Sequence, residues 1–258
     1  MSNPLIINYH DACIYQSDLD ILKQNGSWIN DTIVLFEMTH LSVTFGAKTS
    51  HKIHYLDPSV VEFFMHSLSL TNEDDLEEFQ NLYNKWCNAD CSDDVILLVP
   101  LNDNNSRGFD TNSNGAVGNH WSLLAVVITK DWDGAFHFDS SSGYNMSTAE
   151  VVFKRIMDII EIGKRNKPKI LHGLVECNVP QQQNGYDCGV HTLVTAECFS
   201  TSDVIDSPLS NMDISSMKNM LEVKVRNFMK KYENTCEMGR LKRHEILKKV
   251  RREVENLL

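Results

Sequence analysis

The chain has 258 residues, 42% of them hydrophobic and 23% charged, with 12 Gly and 6 Pro. This is a globular composition, long enough for a sizeable core, and it excludes a chain disordered throughout or built as collagen or linker. The net charge of −11 is uneven: residues 1–216 carry 12 Lys/Arg against 29 Asp/Glu, and residues 217–258 carry 12 against 6. An acidic body disfavours nucleic acid and suits a partner with a basic face.

No apolar run approaches 18 residues, so no membrane span is expected. The first Lys or Arg is Lys23, so the start lacks the basic region of a signal peptide. The seven cysteines are odd in number, which favours reduced thiols in a cytoplasmic or nuclear setting over a disulfide framework. Cys87 and Cys91 have no downstream Cys/His pair at finger spacing, so no metal is expected.

Trp28-Ile29-Asn30-Asp31-Thr32 opens a predicted helix to about residue 41, capped by Asn30 or Asp31. Asp57-Pro58 starts a second, with Val60, Val61, Phe64 and Leu68 on one face. The run Glu73, Asp74, Asp75, Glu77, Glu78 fits the first turn of a third, whose Leu76, Phe79, Tyr83 and Trp86 recur at helical spacing. Val95 to Leu101 reads as a buried strand. Residues 102–119 form a long polar loop.

Trp121 to Ile128 and Ala135 to Asp139 read as two strands joined by a turn over 129–134. A helix over 148–163, a short strand over 174–179, and helices near 188–199, 215–232 and 240–257 follow. Residues 200–238 look like an insertion. Met217, Leu221, Val225, Phe228 and Tyr232 form a stripe there that fits core packing. The basic C-terminal stretch reads as the polar face of amphipathic helices. The chain is predicted to be one α+β domain over 1–258, with strands mid-chain and helices at both ends.

Turn-forming residues from Val179 to Asp187 lead to Cys188, where a helical pattern begins. A cysteine at a helix N-terminus lies near unpaired N–H groups and the positive end of the dipole, which favour thiolate and can stabilise an oxyanion. A nucleophilic Cys needs a base, and the base an orienting group. His120 precedes one arm of the predicted hairpin and Asp139 ends the other, so the open ends bring them together. His191, one helical turn after Cys188, is a rival base that points alongside. His137 reads as structural, and Cys198 as a buried small hydrophobe.

Three segments, Gly118-Asn119-His120-Trp121-Ser122, Phe136-His137-Phe138-Asp139-Ser140 and Gln182-Gln183-Asn184-Gly185-Tyr186-Asp187-Cys188-Gly189, with Trp28-Ile29-Asn30-Asp31, resemble the Ulp/sentrin-specific cysteine proteases, which process ubiquitin-like modifiers. Pro100 to Asn104, the final stretch with Lys242-Arg243 and a catalytic domain starting near Met1 resemble the small deneddylase subfamily, which cleaves the neddylation modifier.

The resemblance implies a papain-like fold of the Ulp type, with a central mixed or antiparallel sheet flanked by helices, and no cofactor. It implies Cys188 as nucleophile, His120 as general base and then acid, and Asp139 as its orienting group. Gln182 becomes the oxyanion donor, although Gln181-Gln182-Gln183 leaves that identity open by one position. Trp28 and Trp121 become the walls of a narrow tunnel over the modifier's C-terminal Gly-Gly. Asp31 lies near the modifier's tail, in reach of a basic residue, with a helix cap as its plainer reading. The 102–119 loop looks longer than in close relatives and abuts His120. SUMO or ubiquitin as the modifier, protein acyltransfer on the same triad, and modifier binding without catalysis are the alternatives. Neither nucleic acid nor membrane is an expected partner, and a monomer is expected.

Overall fold

The structure, a computed structural model, describes residues 3–46, 52–66, 69, 71–87, 94–103, 119–163, 170–201, 209, 212–232, 234–257. Most of the predicted polar loop, at 104–118, and part of the predicted insertion, at 202–208, 210–211 and 233, lie outside them, as do Leu68 and Cys91.

Among the described residues the order is β1 (Leu5–Tyr9), β2 (Ala12–Tyr15), α1 (Gln16–Lys23), α2 (Asp31–Phe45), β3 (Lys52–Tyr55), α3 (Pro58–His66), α4 (Glu73–Trp86) and β4 (Val95–Asn102). Then come β5 (Trp121–Ile128), β6 (Trp132–Phe138), α5 (Met146–Gly163), β7 (Ile170–Cys177), α6 (Cys188–Thr201), α7 (Ile214–Met229) and α8 (Thr235–Leu257). Strands β3-β4-β5-β6-β7 form one sheet in that order. The two outer pairings are parallel and the two inner ones antiparallel, so the sheet is mixed. The α+β reading holds.

Strands β4 and β5 are apolar almost throughout because both sheet faces are covered. Side chains alternate between two cores. Ile96, Leu98, Leu123, Ala125 and Val127 face a core shared with α2, α6, α7 and α8. Leu97, Val99, Leu124 and Val126 face one shared with α3, α4 and α5. The stripe Met217, Leu221, Val225 of α7 joins the first core, as its spacing predicts.

Local signals set the helix starts. Asn30 caps α2, its side chain accepting from the Ile33 N–H at 3.1 Å, which decides the open choice against Asp31. The Asp57 carboxylate accepts from Ser59 N–H at 2.7 Å ahead of α3. Glu73, Asp74 and Asp75 occupy the first turn of α4.

Several expectations are corrected. The N-terminal part holds the hairpin β1–β2, and β3 pairs parallel with β4, so helices do not occupy both ends alone. These strands have four or five residues and partly exposed patterns, too short for a periodicity to register. The β5–β6 turn is tighter than predicted. Thr129 Oγ1 accepts from Trp132 N–H at 2.9 Å and its own backbone N–H donates to Trp132 O at 3.0 Å, so β6 starts at Trp132 and ends at Phe138. Asp139 therefore lies just past the strand. Strand β7 is longer than predicted, and α8 starts at Thr235 rather than near 240.

Candidate active site

The site lies where the open end of the β5–β6 hairpin meets the first turn of α6. The Asp103 carboxylate, at the end of β4, accepts from the backbone N–H groups of Asn119 at 2.6 Å and His120 at 3.1 Å. This holds His120 at the entrance to β5. His120 Nε2 and Asp139 Oδ1 are 2.6 Å apart and both side chains are buried. Asp139 also accepts from Ser141 N–H on Oδ1 and from Asn145 N–H on Oδ2, each at 2.9 Å. The Asn145 side-chain amide donates to Ser122 Oγ at 3.1 Å and to His120 O at 3.4 Å, tying both strand ends together.

Burial works against ionisation of Asp139. The hydrogen bond and charge of His120, with the two N–H donors, outweigh it and hold the carboxyl below its ordinary range. Burial likewise opposes a charged His120. Hydrogen bonds with Asp139 and with Cys188, and their charges, prevail and raise it to about 9. With Nε2 bonded to Asp139, Nδ1 is the nitrogen left for Cys188.

Cys188 is the first residue of α6 and is nearly fully buried. Its approach is built by a turn. Asn184 Oδ1 accepts from Tyr186 N–H at 3.1 Å and Asp187 N–H at 3.0 Å, and Asn184 Nδ2 donates to Asp187 Oδ2 at 2.8 Å. Arg243, a buried residue of α8, donates to Asp187 Oδ1 at 2.8 Å. A Cβ on Gly239, one turn before Arg243, would collide with that carboxylate. Glycine here lets α8 close on the residue before the nucleophile.

The three glutamines differ in their surroundings. Gln181 is exposed and stitches the loop after β6, donating to Asp139 O at 3.1 Å and accepting from Ser142 N–H at 2.8 Å. Gln182 is half-buried. Its Oε1 accepts from Ser140 Oγ at 2.7 Å, and its Nε2 donates to Asn184 O at 2.6 Å. That leaves one amide N–H on Gln182 for another acceptor. Gln183 is exposed.

The early Trp motif packs against the same turn. Trp28, 46% exposed, donates from Nε1 to Gly185 O at 2.7 Å. Trp121, 4% exposed, donates to Ile29 O at 3.0 Å. A Cβ on Gly189 would lie 2.9 Å from Ile29 Cβ and 3.4 Å from Trp121 Cδ1, so glycine after Cys188 admits this close approach. Asp31 starts α2 and is exposed at its outer side, while partial burial of its carboxyl, then the Glu62 and Asp57 carboxylates, raise its pKa.

The rival base has neither needed partner. Among the described residues neither ring nitrogen of His191 has a hydrogen-bond partner, and burial lowers its pKa to about 4. His137 is fully buried and bonds Ser122 Oγ at 2.9 Å, a packing role. Cys198 is buried in the core. Sequence reasoning did not single out Asp103, Ser140, Asn145 or the Arg243–Asp187 pair. Only Asn145 carried a local signal, an Asn just before a helix.

Comparison with known proteins follows the same lines. Residues 27–235 match the Ulp1 protease family, C-terminal catalytic domain. The chain is 32% identical over 201 residues to a probable sentrin-specific protease 8 of Dictyostelium discoideum, covering 76% of this chain and 75% of that protein. It is 34% identical over 194 residues to NEDD8-specific protease 1 of Arabidopsis thaliana, covering 74% and 73%. The crystal structure of a de-sumoylating protease superposes with a TM-score of 0.58 at 17% identity, covering 95% of this chain and 89% of the other, a likeness of fold.

Proposed function

This chain belongs to the Ulp1 protease family, a family of cysteine proteases, and from that premise we propose that it is a deneddylase. It hydrolyses the bond after the C-terminal Gly-Gly of the neddylation modifier, in the cytoplasm or nucleus, where its thiol stays reduced. The carrying observation for the chemistry is Cys188 at the start of α6, whose thiol helps raise the pKa of a His120 that is itself bonded to Asp139.

In this reading His120 takes the Cys188 proton and Sγ attacks the glycine carbonyl carbon. The C–S bond forms and the oxyanion is met by the Cys188 N–H and the remaining Gln182 amide N–H. The C–N bond then breaks, and His120 hands its proton to the leaving amine. Water, deprotonated by His120, attacks the thioester, the C–S bond breaks, the modifier leaves as its carboxylate and His120 returns the proton to Sγ. Asp139 holds the imidazole throughout, and Ser140, by bonding Gln182 Oε1, keeps the amide turned one way. Trp28 and Trp121 flank the Gly-Gly, since flat indoles leave space only for residues without side chains. Asp31, whose pKa is raised by burial and then by the Glu62 and Asp57 carboxylates, would pair with a basic side chain in the modifier's tail.

Gln182→Ala is expected to lower kcat by about 10²–10³-fold with KM little changed, while Gln183→Ala has no effect. Steady-state kinetics on one modifier substrate checks both.

The test of the function is covalent labelling with C-terminally activated probes of the neddylation modifier, SUMO and ubiquitin, read by intact mass with Cys188→Ala as control. Labelling by the neddylation probe alone, and only with Cys188 present, is the expected result. Labelling by SUMO or ubiquitin instead overturns the modifier assignment and keeps the mechanism. No labelling overturns the protease assignment of the site and brings forward acyltransfer or binding without catalysis.

A further inference from the structure

One exposed aromatic touches the reacting groups and has no part in the scheme above. Tyr144 is 55% exposed, yet its ring packs on the ring of His120, centroids 4.7 Å apart and planes at 58°. Single exposed aromatics are ordinary. This one is fixed in place.

The loop carrying it folds around Asp139 and is tied on several sides. Tyr144 N–H donates to Ser141 O at 2.9 Å, closing a turn that Gly143 completes with φ +76°. Glu176 of β7 accepts from Gly143 N–H at 2.7 Å and Ser142 Oγ at 3.1 Å. Asn145 N–H bonds Asp139 on the other side. The Tyr144 ring thus offers one side to His120 and leaves the rest of its surface to solvent.

The chemistry says what meets that surface. Asp139 occupies Nε2, so the proton His120 gives to the leaving amine comes from Nδ1. The leaving nitrogen must therefore come within about 3 Å of the His120 ring. In an isopeptide that nitrogen ends a lysine side chain, and its four methylenes lie beside it. An apolar stem of this kind gains by lying on an aromatic surface out of water.

We propose that Tyr144 is the leaving-group contact of this enzyme: its exposed ring, seated on His120, takes the aliphatic stem of the substrate lysine. The proposal rests on the protease reading of the site. It makes Tyr144 a residue that favours conjugates over substrates with small leaving groups.

The test compares two substrates of one modifier, an isopeptide to a lysine-containing peptide and a C-terminal ethyl ester. Both are measured with wild type, Tyr144→Phe and Tyr144→Ala. The expected result is a fall of about 10-fold in the ratio of kcat/KM, isopeptide over ester, for Tyr144→Ala, with the ratio kept by Tyr144→Phe. An unchanged ratio overturns the proposal in either of two ways: both activities falling together makes Tyr144 a prop for His120, and neither falling makes it idle surface. Tyr144 is exposed, so its truncation leaves the cores intact. Wild type turning over neither substrate, with no Cys188-dependent probe labelling, overturns the protease reading and this proposal with it.

Discussion

Cys188→Ala is expected to lower kcat by about 10⁶-fold while leaving the affinity for the modifier in place. Without Sγ there is no acyl-enzyme, and water alone must attack a carbonyl that the backbone N–H of residue 188 and Gln182 can still polarise. The geometry around the position predicts a clean loss. Alanine is at least as good a helix former as cysteine, so α6 keeps its first turn. The Asn184 turn and the Arg243–Asp187 pair that place the residue use none of its side-chain atoms. Trp28 and Trp121 hold Gly185 and Ile29 by their indole N–H groups, independent of the thiol. Calorimetric titration of the variant with the modifier, beside a single-turnover assay, checks the two halves. Loss of binding together with activity would mean that the thiol shapes the tunnel.

The largest effect on stability is expected away from the site, at Lys242. Its Nζ is fully buried and donates to Glu37 Oε1 at 2.6 Å, Glu197 Oε2 at 2.7 Å and Glu245 Oε1 at 3.2 Å. Lys249 reaches the same Glu37 oxygen at 2.7 Å. Lys242→Met keeps the bulk and removes the charge, leaving a wholly buried Glu37 among carboxylates with Lys249 alone bonded to it. A buried charge deprived of its partner costs about 3–5 kcal/mol.

The pH dependence follows by sign. Burial raises the Glu37 pKa, but Lys242 and then Lys249 outweigh it and bring it to about 2. A carboxylate depressed below its unfolded value of 4.5 stabilises the fold above that pH, and the contribution fades as pH falls toward about 2. In Lys242→Met the same carboxyl is pushed up, so protonation helps it. The gap between wild type and variant is therefore expected to be widest at pH 7 and narrower at pH 4. Urea unfolding midpoints at the two pH values measure it. A constant gap would show that the loss is one of packing alone.

This cluster also marks where sequence reading stopped. In the C-terminal stretch, charge suggested a solvated helix face, yet Lys242 and Arg243 are among the most buried residues of the protein. Their partners Glu37, Glu197 and Asp187 lie 205, 45 and 56 residues away. No local pattern separates a charge facing water from one facing a distant opposite charge. The short strands β1, β2 and β3 were missed for a related reason, since four or five half-exposed residues make no periodicity.

The features legible along the chain are those that depend on neighbours in sequence. The apolar runs of β4 and β5, the Asp57-Pro58 helix start, the acidic first turn of α4 and the helix opened by Cys188 are all set within a few residues. A tight hairpin also carries its two ends together, so His120 and Asp139 were legible as a pair. The packed fold settles which atom meets which. It chose Asn30 over Asp31 as the cap, set the distinct bonds of Gln181 and Gln182, left the His191 ring without a hydrogen bond among the described residues, put Tyr144 on His120 and closed α8 on Asp187. Hydrogen bonds and ion pairs act over about 3 Å. Only the packed chain brings residues so far apart in sequence to that distance.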